Sequence, residues 1–353
     1  MSFKIGTWLI TLPKTGKMLL AAICFAGIVV GVWAYVIYND IFRENVKKTG
    51  MLYIPTGSDF RHVVYLLNQG DFLKDRSSFQ WVAARKNYQE RIQPGAYLIK
   101  MGWCNNQLID LLRAGVQIPV KVTINNFRFR EELAARLARY LEPDSAAFLS
   151  VLNSETIATD LGFTCESFPM LIIPNTYEIY WNTSPGRFIR RMKWEYDRFW
   201  NESRKKKAAD LGLSPLQVVT IASIVQEETN RNDEKSRMAG VYINRLRRGW
   251  LLQADPTVKY AINNFQIKRV LTKFLSFDSP YNTYKYTGLP PGPINFPDIT
   301  TVDAVLNAEH HNLMYFCAKE DFSGYHNFAK SLAEHNRNAS RYQNALNKNN
   351  IWK

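Results

Sequence analysis

The stretch SPLQVVTIASIVQEET, residues 214–229, decides how the rest of the chain is read. Ser214 and Pro215 have the chemistry of a helix N-cap and a first helical residue: a hydroxyl that accepts from a free N–H, then a ring that has none to satisfy. Gln217, Ile221, Ile224, Val225 and Glu228 follow at three- and four-residue steps, which predicts a helix carrying them on one face. Glu228 therefore points where Ile224 points. Burial among such neighbours disfavours a charged carboxylate and raises its pKa, which is what a general acid needs near neutral pH. Glu227 projects about 100° away, on the side of Thr220 and Ser223, and reads as solvated. The alternative for Glu228 is a helix-end carboxylate that reaches solvent or pairs with Arg231.

Downstream come GVYINRLRRGWLLQADPTVKYA, then SPYNTYKYTGLPPGPINFP, then HNFAKSLAEHNR. They hold, after Glu228-Thr229, the phrases Asn244-Arg245-Leu246, LQADPTV at 252–258, YNTY at 281–284 and GLPPGPI at 288–294. His326, Phe328 and Glu334-His335-Asn336 complete the series. It resembles the MltG-like (YceG-like) family of membrane-anchored endolytic murein transglycosylases, and the order of the phrases carries the resemblance more than any one of them.

The resemblance implies cleavage of the MurNAc-GlcNAc bond in nascent peptidoglycan strands, leaving 1,6-anhydro-MurNAc ends and terminating or trimming glycan elongation. Cleavage needs an acid for the leaving oxygen and capture of an oxocarbenium-like centre. A transglycosylase captures it with the sugar's own C6 hydroxyl, so one residue can serve as acid and then as base. Glu228, in the position of the family's E-T glutamate, is the candidate for both roles. The family often carries another acid two positions earlier, where this chain has Gln226. Asp255 either caps the turn at Pro256 or acts directly, as a hydrolase would use it. Gln253, Asn282, Thr283 and Tyr284 suit hydrogen bonds to N-acetyl groups and hydroxyls, and Tyr281 or Tyr284 offers a ring to a sugar face. Alternatively the YNTY and LPPGP segments form only a rigid loop. Asn244, Arg245 and Glu334 are expected to support the site. His326 and His335 lack a metal-binding spacing and read as structural, so no metal and no cofactor are expected.

The 353-residue chain has 46% apolar and 13% aromatic residues, an ordinary globular composition, and a formal charge of +14. That charge tolerates nucleic acid, phospholipid or acidic cell wall as neighbours and does not choose among them. Cys24, Cys104, Cys165 and Cys317 are widely spaced and read as thiols rather than as a disulfide framework. Residues 18–38 carry no charge and would span roughly 31 Å as a helix. No small-residue cleavage site follows, which favours an uncleaved anchor over a signal peptide. Lys4, Lys14 and Lys17 precede it, predicting a cytoplasmic tail at 1–17 and a periplasmic remainder at the inner membrane. That location argues against nucleic acid and makes membrane lipid, glycan strands and peptidoglycan synthases the candidate partners.

Segment 50–124 alternates short strands and helices: a strand at 51–54, a helix capped by Ser58 with Val63, Val64 and Leu67 inside, another through Phe79 and Val82, a strand at 96–99, a helix stopped by Gly115 and a strand at 116–124. Its phrases resemble the family's LysM-like module, which implies glycan binding; a packing role is the alternative. Residues 125–213 look helical. Ile173-Pro174-Asn175-Thr176-Tyr177 resembles the family's F-P-D-T-Y, with Asn175 in place of the acid. Arg187 to Lys207 is the most basic stretch, a solvated face or a contact for anionic lipid or cell-wall carboxylates. The expected architecture is α+β, with a single N-terminal transmembrane helix, a small LysM-like module at 50–124 and a mixed α/β catalytic domain at 125–348. The competing function is a membrane-tethered, non-catalytic peptidoglycan-binding scaffold.

Overall fold

The computed structural model describes residues 14–125, 127–267 and 270–349; residues 1–13 of the expected cytoplasmic tail, with Lys4, lie outside them. The chain divides into two compact units. One runs to Pro119 and takes in Tyr180–Asn182; the other comprises Val120–Ile179 and the chain from Thr183 onward.

The first unit begins with α1 (Lys14–Phe42), a helix long and apolar enough to cross a membrane, whose large apolar side chains are exposed. Next come β1 (Gly50–Ile54), α2 (Phe60–Gln69), α3 (Arg76–Arg85), β2 (Gly95–Ile99) and α4 (Asn105–Ala114). β1 and β2 pair antiparallel, Leu52 opposite Tyr97. Val63, Val64, Leu67, Phe79, Val82, Leu108 and Leu112 fill the core behind them. The cap of α2 is Asp59 rather than Ser58: the carboxylate accepts from His62 N at 2.7 Å, while the Ser58 hydroxyl lies against the His62 ring. Gly115 ends α4 in the left-handed region at φ +67°, where a side chain would be strained. Asn105 Nδ2 donates to Asp40 O of α1 at 2.7 Å and so joins the apolar helix to this unit.

The second unit contains β3 (Val120–Ile124), α5 (Arg130–Ala138), α6 (Ser145–Leu152), α7 (Glu155–Asp160), β4 (Asn175–Ile179), α8 (Pro185–Phe199) and α9 (Glu202–Asp210). It continues with α10 (Pro215–Glu228), α11 (Lys235–Arg247), α12 (Asp255–Ala261), α13 (Thr272–Leu275), α14 (Ile299–Leu306), β5 (Tyr315–Ala318), β6 (His326–Ala329) and α15 (Leu332–Lys348). The strand expected to close the first module is therefore β3 of this unit, paired antiparallel with β4. Asn175 opens β4 and accepts from Thr176 N. In the basic stretch, Arg191, Lys193 and Arg204 pair with Glu195, Asp197 and Asp303.

Helix α10 begins as its sequence predicts. Ser214 Oγ accepts from Gln217 N, and Gln217 Oε1 accepts from Ser214 N at 2.8 Å. Its burial is not one-sided, however. Thr220 and Ser223 are as buried as Ile221 and Ile224, because α11 and α14 pack on α10 through Met238, Tyr242, Val302 and Val305 while the 293–297 segment covers Ser223. The two hydroxyls survive burial by bonding backbone: Thr220 donates to Leu216 O, and Ser223 donates to Thr220 O and accepts from Ile294 N.

Candidate active site

Helix α10 stops at Glu228, where Thr229 turns extended and its hydroxyl accepts from Arg231 N at 3.0 Å. The partly buried Glu228 thus lies on the wall of a cavity of about 350 Å³ shared with Arg245, Gln253, Asp255, Tyr284, Tyr315, Phe316, Leu332 and His335. Arg231 points elsewhere, donating to Ser323 O and covering the Tyr325 ring. Tyr242, one element away on α11 and itself buried, donates from its hydroxyl to Glu228 Oε1 at 2.8 Å.

Desolvation pushes the Glu228 carboxyl up to about 7, with the Asp255 charge adding to the rise. The Tyr242 hydrogen bond, Lys259 and Arg245 oppose it. The same burial, with the Glu228 charge beside it, pushes the Tyr242 phenol far above its ordinary range, so it stays a donor.

Asp255 is the first residue of α12 and does not cap it. Ala254 holds the cap position, and Tyr284 donates its hydroxyl to Asp255 Oδ1 at 2.6 Å. Gln253 stands beside it at φ +50°, a conformation costly for a residue with a side chain, held by Gln253 N bonding Thr283 O at 3.1 Å.

Of the sequence-predicted residues, Glu228, Gln253, Asp255 and Tyr284 come together at this cavity. Asn282 and Thr283 are buried and do not line it. Asn282 Nδ2 donates to Leu275 O and Phe277 O, and Thr283 Oγ1 accepts from Ala254 N and bonds Thr257 Oγ1 at 2.8 Å. They brace the turn that presents Tyr284. Tyr281 opens onto a different cavity. Glu227, expected to be solvated, is partly buried and paired: it accepts two hydrogen bonds from Arg128 Nη2, at 3.1 and 2.8 Å, and one from Asn295 Nδ2 at 2.8 Å.

The Asn244-Arg245 pair acts as a clamp. Arg245 donates to Met314 O and Leu252 O, and Asn244 donates to His311 O and Leu313 O. These bonds tie the approaches to β5 and to Gln253 onto α11. Gly240 permits the closeness, since a Cβ there would meet Glu309 O at 2.6 Å. Glu334 serves the start of α15, where Glu334 N donates to Ser331 Oγ and its carboxylate accepts from Lys330 N. His335, expected to be structural, lines the cavity and stacks on Tyr315 at 5.3 Å; burial and Arg245 push its imidazole below the usual range. His326 is held by Glu234. Among the described residues no group of three or more metal-ligating side chains gathers. Tyr242, Tyr315, Phe316 and Leu332 were not singled out from the sequence; the GVYINRL phrase held the only hint of the first.

A proton donor poised near neutrality, a second carboxylate held by a tyrosine and aromatic walls are the equipment for acid catalysis on a polar, ring-containing substrate. The sequence model of the YceG-like family matches residues 52–341. The chain belongs to the YceG-like family. An endolytic murein transglycosylase of Bacillus subtilis strain 168 is 28% identical over 320 residues, covering 86% of this chain and 88% of that one. One from Streptococcus pneumoniae strain D39 is 25% identical over 335 residues; the match spans 85% of this chain and 60% of the streptococcal protein. The crystal structure of a YceG-like protein from Listeria monocytogenes superposes with a TM-score of 0.55 at 25% identity, over 82% of this chain and 98% of that one.

Proposed function

We propose that this protein is a membrane-anchored endolytic murein lytic transglycosylase in which Glu228 is both acid and base. One observation carries the proposal: Glu228 lines a sugar-sized cavity with its carboxyl raised to about 7, in the position of the family's E-T glutamate. Protonated Glu228 gives its proton to the oxygen between MurNAc and GlcNAc, the bond from that oxygen to the anomeric carbon breaks, and the GlcNAc side leaves as an alcohol. The muramyl C6 hydroxyl then attacks the anomeric carbon and its proton passes to the Glu228 carboxylate. A 1,6-anhydro ring forms, the acid is regenerated and no water is consumed.

Tyr242 holds Oε1, which leaves Oε2 to carry the travelling proton. Asp255, steadied by Tyr284, contributes negative charge to the cavity where positive charge develops on the sugar. Gln253 and Tyr284 are positioned for hydroxyl and N-acetyl groups of the substrate. The charge-free, exposed run at 18–38 within α1 supports a single-pass inner-membrane anchor with the second unit in the periplasm. The strand-helix-helix-strand order of the first unit supports a LysM-like glycan-binding module. That placement gives access to nascent, uncrosslinked strands and makes peptidoglycan synthases candidate partners.

The test is mass spectrometry of products from the full chain in detergent with nascent glycan strands, beside Glu228→Gln. Expected are 1,6-anhydro ends, absent with the folded variant. Reducing ends, one water heavier, would mean hydrolysis with Asp255 activating the water, and no cleavage by wild type would mean a non-catalytic scaffold.

A further inference from the structure

A second cavity, of about 340 Å³ and in the same unit, shares two structural segments with the Glu228 cavity, α12 and the 281–284 turn. At the end of α10, Glu228 lines the first, while Glu227 binds Arg128 of the second. On α12, Asp255 lines the first and Tyr260 the second, about 7.5 Å further along the helix axis. In the 281–284 turn, Tyr284 serves the first and Tyr281 the second. The two cavities are therefore walled in part by the same helix and the same turn.

The lining of the second cavity has the chemistry of a saccharide site. Phe129 and Tyr260 stack at 5.9 Å with 18° between their planes, and Tyr260 and Tyr281 stand 4.8 Å apart. These partly exposed rings give the cavity an aromatic lining of the kind that meets the C–H faces of sugar rings. Charge is nearly cancelled, Arg128 and Arg130 against Glu131, Glu166 and the nearby Glu227, so no excess of cations awaits an anionic ligand. The exposed Asn153 and Glu166 offer a donor and acceptors to hydroxyl and amide groups. Arg128 is preorganised by its two bonds to Glu227 and by the Phe265 ring 4.6 Å away.

We propose that this cavity is a second saccharide subsite, holding the part of the glycan strand that continues beyond the sugars at Glu228. The proposal rests on the transglycosylase function and explains how a strand would be gripped away from its ends. The test is isothermal titration of short and long N-acetylglucosamine oligomers into the full chain in detergent. It is done in the Glu228→Gln background, so that binding is read without turnover, with Glu166→Trp or Asn153→Trp filling the cavity from its exposed rim. Affinity is expected to rise with oligomer length, and each blocking variant is expected to weaken the long oligomers about tenfold and the short ones less. No length dependence in the unblocked protein, or equal weakening at every length, would overturn the subsite. Continued strand cleavage by Glu228→Gln would instead overturn the acid assignment and leave the length dependence standing.

Discussion

On one side of the end of α10, Glu227 meets a guanidinium and an amide, each at 2.8 Å. On the other side Glu228, one residue further, meets a neutral phenol at 2.8 Å and the charge of a second carboxylate. Arg128 pairs directly with the first charge; among the described residues no cation forms an ion pair with the second, on which Arg245 and Lys259 act through their charge alone. Two identical side chains on one helix thus differ because a helix turn of about 100° sends them into different surroundings. Glu227 is held in a charge pair across the unit, whereas burial raises the Glu228 carboxyl to about 7.

The largest break in this comparison is expected in catalysis. Glu228→Gln should lower strand cleavage by roughly a hundred- to ten-thousandfold, measured as release of anhydro-ended fragments. Glu227→Gln, read in the same assay, should fall far less; an equal loss would erase the distinction.

Stability should answer in the opposite sense. The folded state keeps the Glu228 proton between its ordinary 4.5 and about 7, where the unfolded chain has lost it. Stability is therefore untouched below the lower value and declines as pH rises through the upper one, by roughly 3 kcal/mol in full. Glu228→Gln removes that penalty: denaturant titrations should find it level with wild type at about pH 4 and roughly 3 kcal/mol more stable at about pH 8. For Glu227→Gln the expectation is a loss of about 1–2 kcal/mol at neutral pH, since it weakens the hold on the partly buried Arg128.

The smallest effects sharpen the comparison most. Tyr242→Phe removes a hydrogen bond that favours ionised Glu228, so the alkaline limb of the pH profile should move up by on the order of one unit. Asp255→Asn removes a neighbouring negative charge, so the limb should move down by a similar order. Arg245 and Lys259, which favour the ionised form, His335 and Tyr284 remain in both variants. Limbs that move together would show that Glu228 does not govern the profile.

The start of α10 was legible because a helix cap is a local property; a single apolar face was not, since α11, α14 and the 293–297 segment bury Thr220 and Ser223 as deeply as Ile221 and Ile224. The Asn244-Arg245 pair was legible as support for the site. Its mechanism was not, for its carbonyl partners reside in loops that other residues position. The inward turn of Asn282 and Thr283 was illegible for a related reason: both types serve substrate or backbone equally well, and only packing chooses. Tyr281 and Tyr284 look interchangeable in YNTY, yet a turn sends them to different cavities.

By itself, then, the sequence determined the family, the apolar N-terminal helix, the position of α10 and the carboxylate to watch at its end. Only tertiary structure decided that Glu227 has a partner 99 residues away in Arg128, that Tyr242 holds Glu228, and that β5 and α15 wall the cavity with Tyr315, Phe316, Leu332 and His335. A hydrophobic period reports which way a side chain leaves its own helix. What waits for it there is brought by chain segments whose approach no single element encodes.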